Sequence, residues 1–135
     1  MLQLVYVSTT KTIVDQALLD AILESSRRNN AVDGVTGLLV SGGRRFLQVL
    51  EGPDQAVLRT YGRIQHDDRH FAFVLIACQT VSKRSFGDWS MAHRAGDWAG
   101  ADARLEQAVE TLTAQLDPNL RAQFTGFVKL HRRAA

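Results

Sequence analysis

A single cysteine, Cys78, stands in 135 residues, so no intramolecular disulfide can form. It falls in the apolar run "FAFVLIAC" (71–78) and reads as a small buried core residue rather than a reactive thiol. That run is the longest of its kind, far short of the ~20 apolar residues that cross a bilayer. "MLQLVYVS" has a strand pattern and no basic flank, so no secretory signal is expected and the cytoplasm is the expected location. Neither sign of charge dominates: 16 Lys and Arg face 14 Asp and Glu. The basic pairs in "SRRNN" and "HRRAA" are short, so neither nucleic acid nor a membrane is an expected partner. Walker A, GxGxxG and HExxH motifs are all missing. The four histidines, His66, His70, His93 and His131, lack metal-ligand spacing, so no metal site is expected. Ser25, Ser26 and Ser41 have no recognisable His and acid partners.

What is present fits one globular domain, with a hydrophobic fraction of 45% and a charged fraction of 22%. "LQLVYVS" (2–8) reads as a central strand. From Asp15 to about Asn29, Leu18, Ala21, Ile22 and Ser25 recur at helical spacing, widened by Leu19 and Leu23. "VTGLLVS" (35–41) and "RRFLQVLE" (44–51) are strands joined at Gly42-Gly43, a hairpin signal. Pro53 and Asp54 suit the start of a helix whose apolar side is Val57, Leu58, Tyr61 and Ile64. "FAFVLIACQT" (71–80) reads as a well-buried fourth strand and "WSMAH" (89–93) as a short fifth.

This order is the ferredoxin-like βαββαβ pattern of an α+β protein, with an appended fifth strand. The first and third strands are then central neighbours, which puts Tyr6 and Gln48 on adjacent strands. Leu105, Ala108, Val109, Leu112 and Leu116 predict an amphipathic helix, ended by Asp117-Pro118. Leu120, Phe124, Phe127 and Val128 predict another. This C-terminal helical pair is expected to cover the sheet face that the first two helices leave open.

Several uncharged polar residues lie in apolar places. In "RRFLQVLEGP", Gln48 stands between Phe46 and Leu50 on one side of a strand whose other side is Leu47 and Val49. Tyr6 shares a face with Leu2 and Leu4. Asn29 and Asn30 close the first helix. A buried amide without a partner costs ~1–3 kcal/mol. Each could be satisfied locally, but together these amides and the phenol form a surface able to read a flat heteroaromatic ring.

"LVYVS", "SSRRNNAVDGVTGLLV", "RFLQVLEGP", "YGRIQHDDRH" and "FGDWSM" occur in the order and at the spacing of the BLUF domain, and residues 1 to about 93 resemble that family of flavin-based blue-light sensors. The resemblance implies an FAD chromophore, although FMN or riboflavin would satisfy the same ring site. It implies that Tyr6 is the photochemical electron and proton donor and Gln48 the switch amide between Tyr6 and flavin. Asn30 would bond the flavin's polar edge with Asn29 beside it, and Ile22 and Ile64 would sandwich the ring. Arg63 resembles the phosphate-side arginine, and Arg28 and His70 are further candidates there. Trp89 and Met91 match a segment that signals near the switch glutamine.

The expected division is a photosensor over residues 1–93 and a helical extension over 94–135, without an output enzyme. An unidentified downstream protein and a second copy in a homodimer or larger homo-oligomer are the expected partners. A small flavin-dependent redox enzyme and a cofactor-free dimeric interaction module are the competing readings, since fold alone fixes no function.

Overall fold

The computed structural model describes residues 1–11, 16–42, 44–85, 92–95, 113–114 and 116–131. The described elements are β1 (Leu2–Thr10), α1 (Gln16–Asp33), β2 (Thr36–Gly42), β3 (Arg45–Gly52), α2 (Asp54–Gln65), β4 (His70–Thr80), β5 (Ala92–Ala95) and α3 (Pro118–His131). The strands form one sheet in the order β4-β1-β3-β2-β5. β4, β1, β3 and β2 pair antiparallel with one another in turn, and β5 runs parallel to β2. This is the ferredoxin-like α+β arrangement with its appended strand. The fifth strand is described over Ala92–Ala95, within and just beyond the stretch the sequence pattern assigns, and Trp89 and Met91 lie outside the described residues.

Alternation along β1, β2 and β3 divides the interior into two cores. Leu4, Tyr6, Leu39, Phe46 and Leu50 face α1 and α2, meeting Leu19, Ile22, Leu23, Ala56 and Val57. Val5, Val7, Leu38, Val40, Leu47 and Val49 face the other way, against Leu116, Leu120, Phe124 and Phe127. So α3 covers the open sheet face as expected, and burying a side chain such as Phe124 contributes ~2 kcal/mol. Leu105, Val109 and Leu112, assigned to a preceding helix, lie outside the described residues. The apolar side of α2 is narrower than its sequence implies: Ala56, Val57 and Thr60 are buried, but Leu58 is exposed.

The strand β4 corrects the expectation of a well-buried fourth strand. It is the edge of the sheet, with Phe71, Val74 and Leu75 exposed. Cys78 is exposed too, not a core residue. The register against β1 shifts twice, between Val5 and Tyr6 and between Val7 and Thr9. At the second shift Ala72 takes φ 53°, a left-handed conformation that a side-chain-bearing residue seldom adopts. Such a bulge re-aims the residues around it. His70 and Phe73, three apart, would point to opposite faces of a regular strand. Here their rings lie 6.0 Å apart, on the face toward α2.

Two local features hold the turn between α1 and β2 in place. Gly34, with φ 71°, ends α1 in a left-handed turn in which the Val35 N–H bonds the Asn30 carbonyl at 2.9 Å. On the α3 side, Arg84 reaches back from beyond β4. It donates to Thr36 Oγ1 at 2.7 Å, the Glu51 carbonyl at 3.1 Å and the Gly34 carbonyl at 2.7 Å. There Gln79 donates to Gln3, which donates to Glu51, bonding β4, β1 and β3 side by side.

Candidate functional site

A cleft of about 190 Å³ opens between α1 and α2 above the sheet. Its walls follow from helical spacing. Ile22, Ser25, Ser26, Asn29 and Asn30 form one stripe of α1, and Thr60, Arg63 and Ile64 one stripe of α2. Leu39 and Gln48 form the floor, and Asp67, Arg69 and His70 close one end.

The floor is set by strand register. Tyr6 lies directly opposite Gln48 on one side, and Leu39 opposite Gln48 on the other. The Tyr6 hydroxyl donates to Gln48 Oε1, so the amide connects the phenol to the cleft. Tyr6 is 0% and Gln48 4% exposed. The Tyr6 ring packs against Tyr61 and Phe73, with centroids 5.0 and 5.8 Å away. Burial pushes the phenol's pKa well above its ordinary value, and the nearby Tyr61 and Asp67 push the same way. At neutral pH the hydroxyl is therefore a donor that keeps its proton.

The charges sit at the cleft's rim. Arg63 donates through both terminal nitrogens to Asp33 Oδ2, each at 3.1 Å, and to Thr60 Oγ1 at 3.3 Å. Arg69 pairs with Asp67 through Nε at 2.9 Å and Nη2 at 2.6 Å, one to each carboxylate oxygen. These hydrogen bonds hold the Asp67 carboxyl below its usual range. His70 is buried between the rings of Phe46 and Phe73, with Nδ1 at 3.2 Å from Ser8 Oγ. Burial lowers its pKa, which leaves the imidazole neutral at pH 7.

Of the residues singled out in the sequence, Ile22, Asn29, Asn30, Gln48, Arg63, Ile64 and His70 line the cleft, and Tyr6 lies directly behind it. Arg28 does not line it: it is exposed and 4.0 Å from Glu24, one helical turn back. The cleft also includes Ser25, Ser26, Leu39, Thr60, Asp67 and Arg69, which sequence reasoning missed. Three of these had a signal. Ser25 and Ser26 follow Ile22 by three and four residues, and Thr60 precedes Ile64 by four. Nothing in "HDDRH" separates a charge pair that closes a cleft from solvated turn residues.

The lining suits a flat ring with apolar faces and a polar edge. Two isoleucines from facing helices offer apolar contact, and two amides that both donate and accept offer edge contacts. These residues fit an isoalloxazine, and the cationic side chains at the rim fit an anionic tail.

Comparison with known proteins gives the same direction. The family model described as BLUF, sensors of blue-light using FAD, matches residues 1–92. The blue light- and temperature-regulated antirepressor BluF of Escherichia coli K12 is 31% identical over 99 residues, covering 73% of this chain and 23% of that protein. The photoactivated adenylate cyclase subunit beta of Euglena gracilis is 32% identical over 89 residues, covering 65% of this chain and 10% of that protein. The chain thus spans less than a quarter of these relatives. Among solved structures, Klebsiella pneumoniae BlrP1 with FMN and cyclic diGMP superposes with a TM-score of 0.80 at 28% identity, over 96% of this chain and 35% of that one. BlrB, a BLUF protein in its dark state, shares the fold at 24% identity with a TM-score of 0.71, over 95% and 93% of the two chains.

Proposed function

The chain belongs to the BLUF family, the sensors of blue light using FAD, and from that membership we propose that the cleft is the flavin site and the Tyr6–Gln48 pair its light switch. As a BLUF domain it uses FAD, which when bound supplies blue-light absorption and redox chemistry. The protein's residues do the rest. Ile22 and Ile64 hold the apolar faces of the ring. Asn30, seated by the turn that ends α1, meets its polar edge with Asn29 alongside. Arg63 and Arg69 serve the rim, His70 lies buried at the end of the cleft beside them, and Arg28 keeps a surface role.

Tyr6 is the electron and proton donor, and its proton lies in the bond to Gln48. An amide's two ends are nearly equal in shape and opposite in hydrogen-bonding sense. Turning or tautomerising Gln48 therefore changes which neighbour receives a bond while the packed volume stays the same. Neither Leu nor Glu could do this.

The single observation that carries the reading is the buried Tyr6–Gln48 hydrogen bond at the cleft floor. The test is an absorption spectrum before and after blue light. The expected result is a yellow protein whose bands shift slightly to longer wavelength and recover in darkness. A colourless protein, or a flavin spectrum that light leaves unchanged, overturns it.

Residues 1–93 form the sensor in this reading, and residues 94–135 a helical extension that passes the signal on. The position of α3 supports this, since it shares one core with Leu47 and Val49, the residues flanking Gln48. Trp89 and Met91 act in that relay. The output is a shift in affinity for a downstream protein rather than a reaction catalysed by these 135 residues. Exposed Phe71, Val74 and Leu75 favour association of copies through the side chains of β4. A cytoplasmic location is consistent with the lack, among the described residues, of any helix long and apolar enough to cross a membrane.

A further inference from the structure

The strand that carries Tyr6 carries a second polar group two residues on, pointing to the same face. Ser8 is 0% exposed. Among the described residues its hydroxyl has one hydrogen bond, to Nδ1 of His70 at 3.2 Å. That contact can form in two ways. If Nδ1 carried the proton, Ser8 would only accept, and its own O–H would be left unpaired in a fully buried place, which is unfavourable. If Ser8 donates, Nδ1 accepts, and the imidazole proton resides on Nε2. The buried hydroxyl and Nδ1 are then both satisfied.

We infer that Ser8 fixes His70 in the Nε2–H tautomer, so that the ring presents a neutral hydrogen-bond donor to an uncharged acceptor on the bound flavin. The contact to flavin rests on the functional reading above; the tautomer does not. Ser8 acts through His70 and is a positioning residue. The surroundings agree with a neutral ring. Phe46 of β3 and Phe73 of β4 flank it, and burial is the largest influence on its protonation. Asp67 and Arg69, in the turn before β4, act on it in opposite senses. The bulge at Ala72 turns His70 toward the cleft at the position where β1 offers Ser8.

The test is long-range proton–nitrogen NMR of the His70 ring in flavin-bound protein kept dark at pH 7. The wild type should show Nε2 protonated and Nδ1 bare. Ser8→Thr, which keeps a hydroxyl, should show the same, and Ser8→Ala a mixture of both tautomers. Flavin should bind Ser8→Ala about twofold more weakly, because about half of the rings would then hold the competent tautomer. A wild-type ring protonated on Nδ1, or a single Nε2–H tautomer persisting in Ser8→Ala, overturns the inference. A protein that takes up no flavin defeats the functional reading instead, and the His70 signals of the colourless protein still report the tautomer.

Discussion

The Tyr6–Gln48 bond sets up a measurable thermodynamic cycle. In Tyr6→Phe the ring stays packed against Tyr61 and Phe73, but Gln48 Oε1 loses the donor it has now. In Gln48→Leu the Tyr6 hydroxyl is orphaned at a fully buried site. Either loss costs ~1–3 kcal/mol. The alternating apolar pattern of β3 alone would accept Leu at position 48 without penalty; the phenol above it is what makes the change costly. The double variant replaces both partners with apolar groups of similar shape, which comes close to neutral. Each single variant should therefore lose about 2 kcal/mol, the double no more than either, and the coupling should be at least about 2 kcal/mol. With a urea slope of ~2 kcal/mol/M, each single variant moves the unfolding midpoint down by about 1 M. All four proteins should be compared at the same multiple of their own flavin dissociation constant, because bound ligand adds its own stabilisation. Both single variants should also stay yellow and lose the light-induced shift. Additive stability losses, or a normal reversible shift in either variant, would refute the reasoning.

Gly37→Ala should cost about 3 kcal/mol in the same urea assay, because the new Cβ would overlap the Val49 carbonyl oxygen, a backbone atom that cannot swing aside; a negligible loss would show that β2 can slide along β3. Stability should fall as pH drops below 6.5, the ordinary histidine value, because the unfolded chain then takes up a proton that buried His70 resists. His70→Gln should flatten that acid limb in urea titrations between pH 7 and 5, and an unchanged limb would remove His70 as its source. Ala72→Gly should raise Tm by about 2 °C, since it relieves the φ 53° conformation at an exposed position; part of the gain is offset by glycine's flexibility in the unfolded chain. Scanning calorimetry that shows a lower Tm would mean that the Ala72 conformation carries no strain.

The residues at the centre of the fold were the legible ones. Strict alternation in β1 and β3 assigned each side chain to a core, and the element order made these strands neighbours, so Tyr6 and Gln48 met as expected. The stripes of α1 and α2 likewise placed Ile22, Asn30, Arg63 and Ile64 together. The edge was not legible. An unbroken apolar run reads as a strand buried on both faces, yet β4 borders the sheet and exposes Val74, Leu75 and Cys78. Its bulges defeat period-two reasoning, so the facing of His70 could not be counted from Phe73. Asp67 and Arg69 escaped notice because a paired charge in a turn has the same composition wherever the turn ends.

Those bulges have a consequence for solubility. β4 has 11 residues against the nine of β1, and its two register shifts absorb the difference. A strand that carries two extra residues bends and twists, so its outer row of N–H and C=O groups does not form an evenly spaced ladder. An incoming strand could stay in register for only a few residues before meeting an offset. The border of this sheet is thus apolar in its side chains and uneven in its backbone. Fibril-like edge-to-edge growth is discouraged, although the apolar surface remains available for contact.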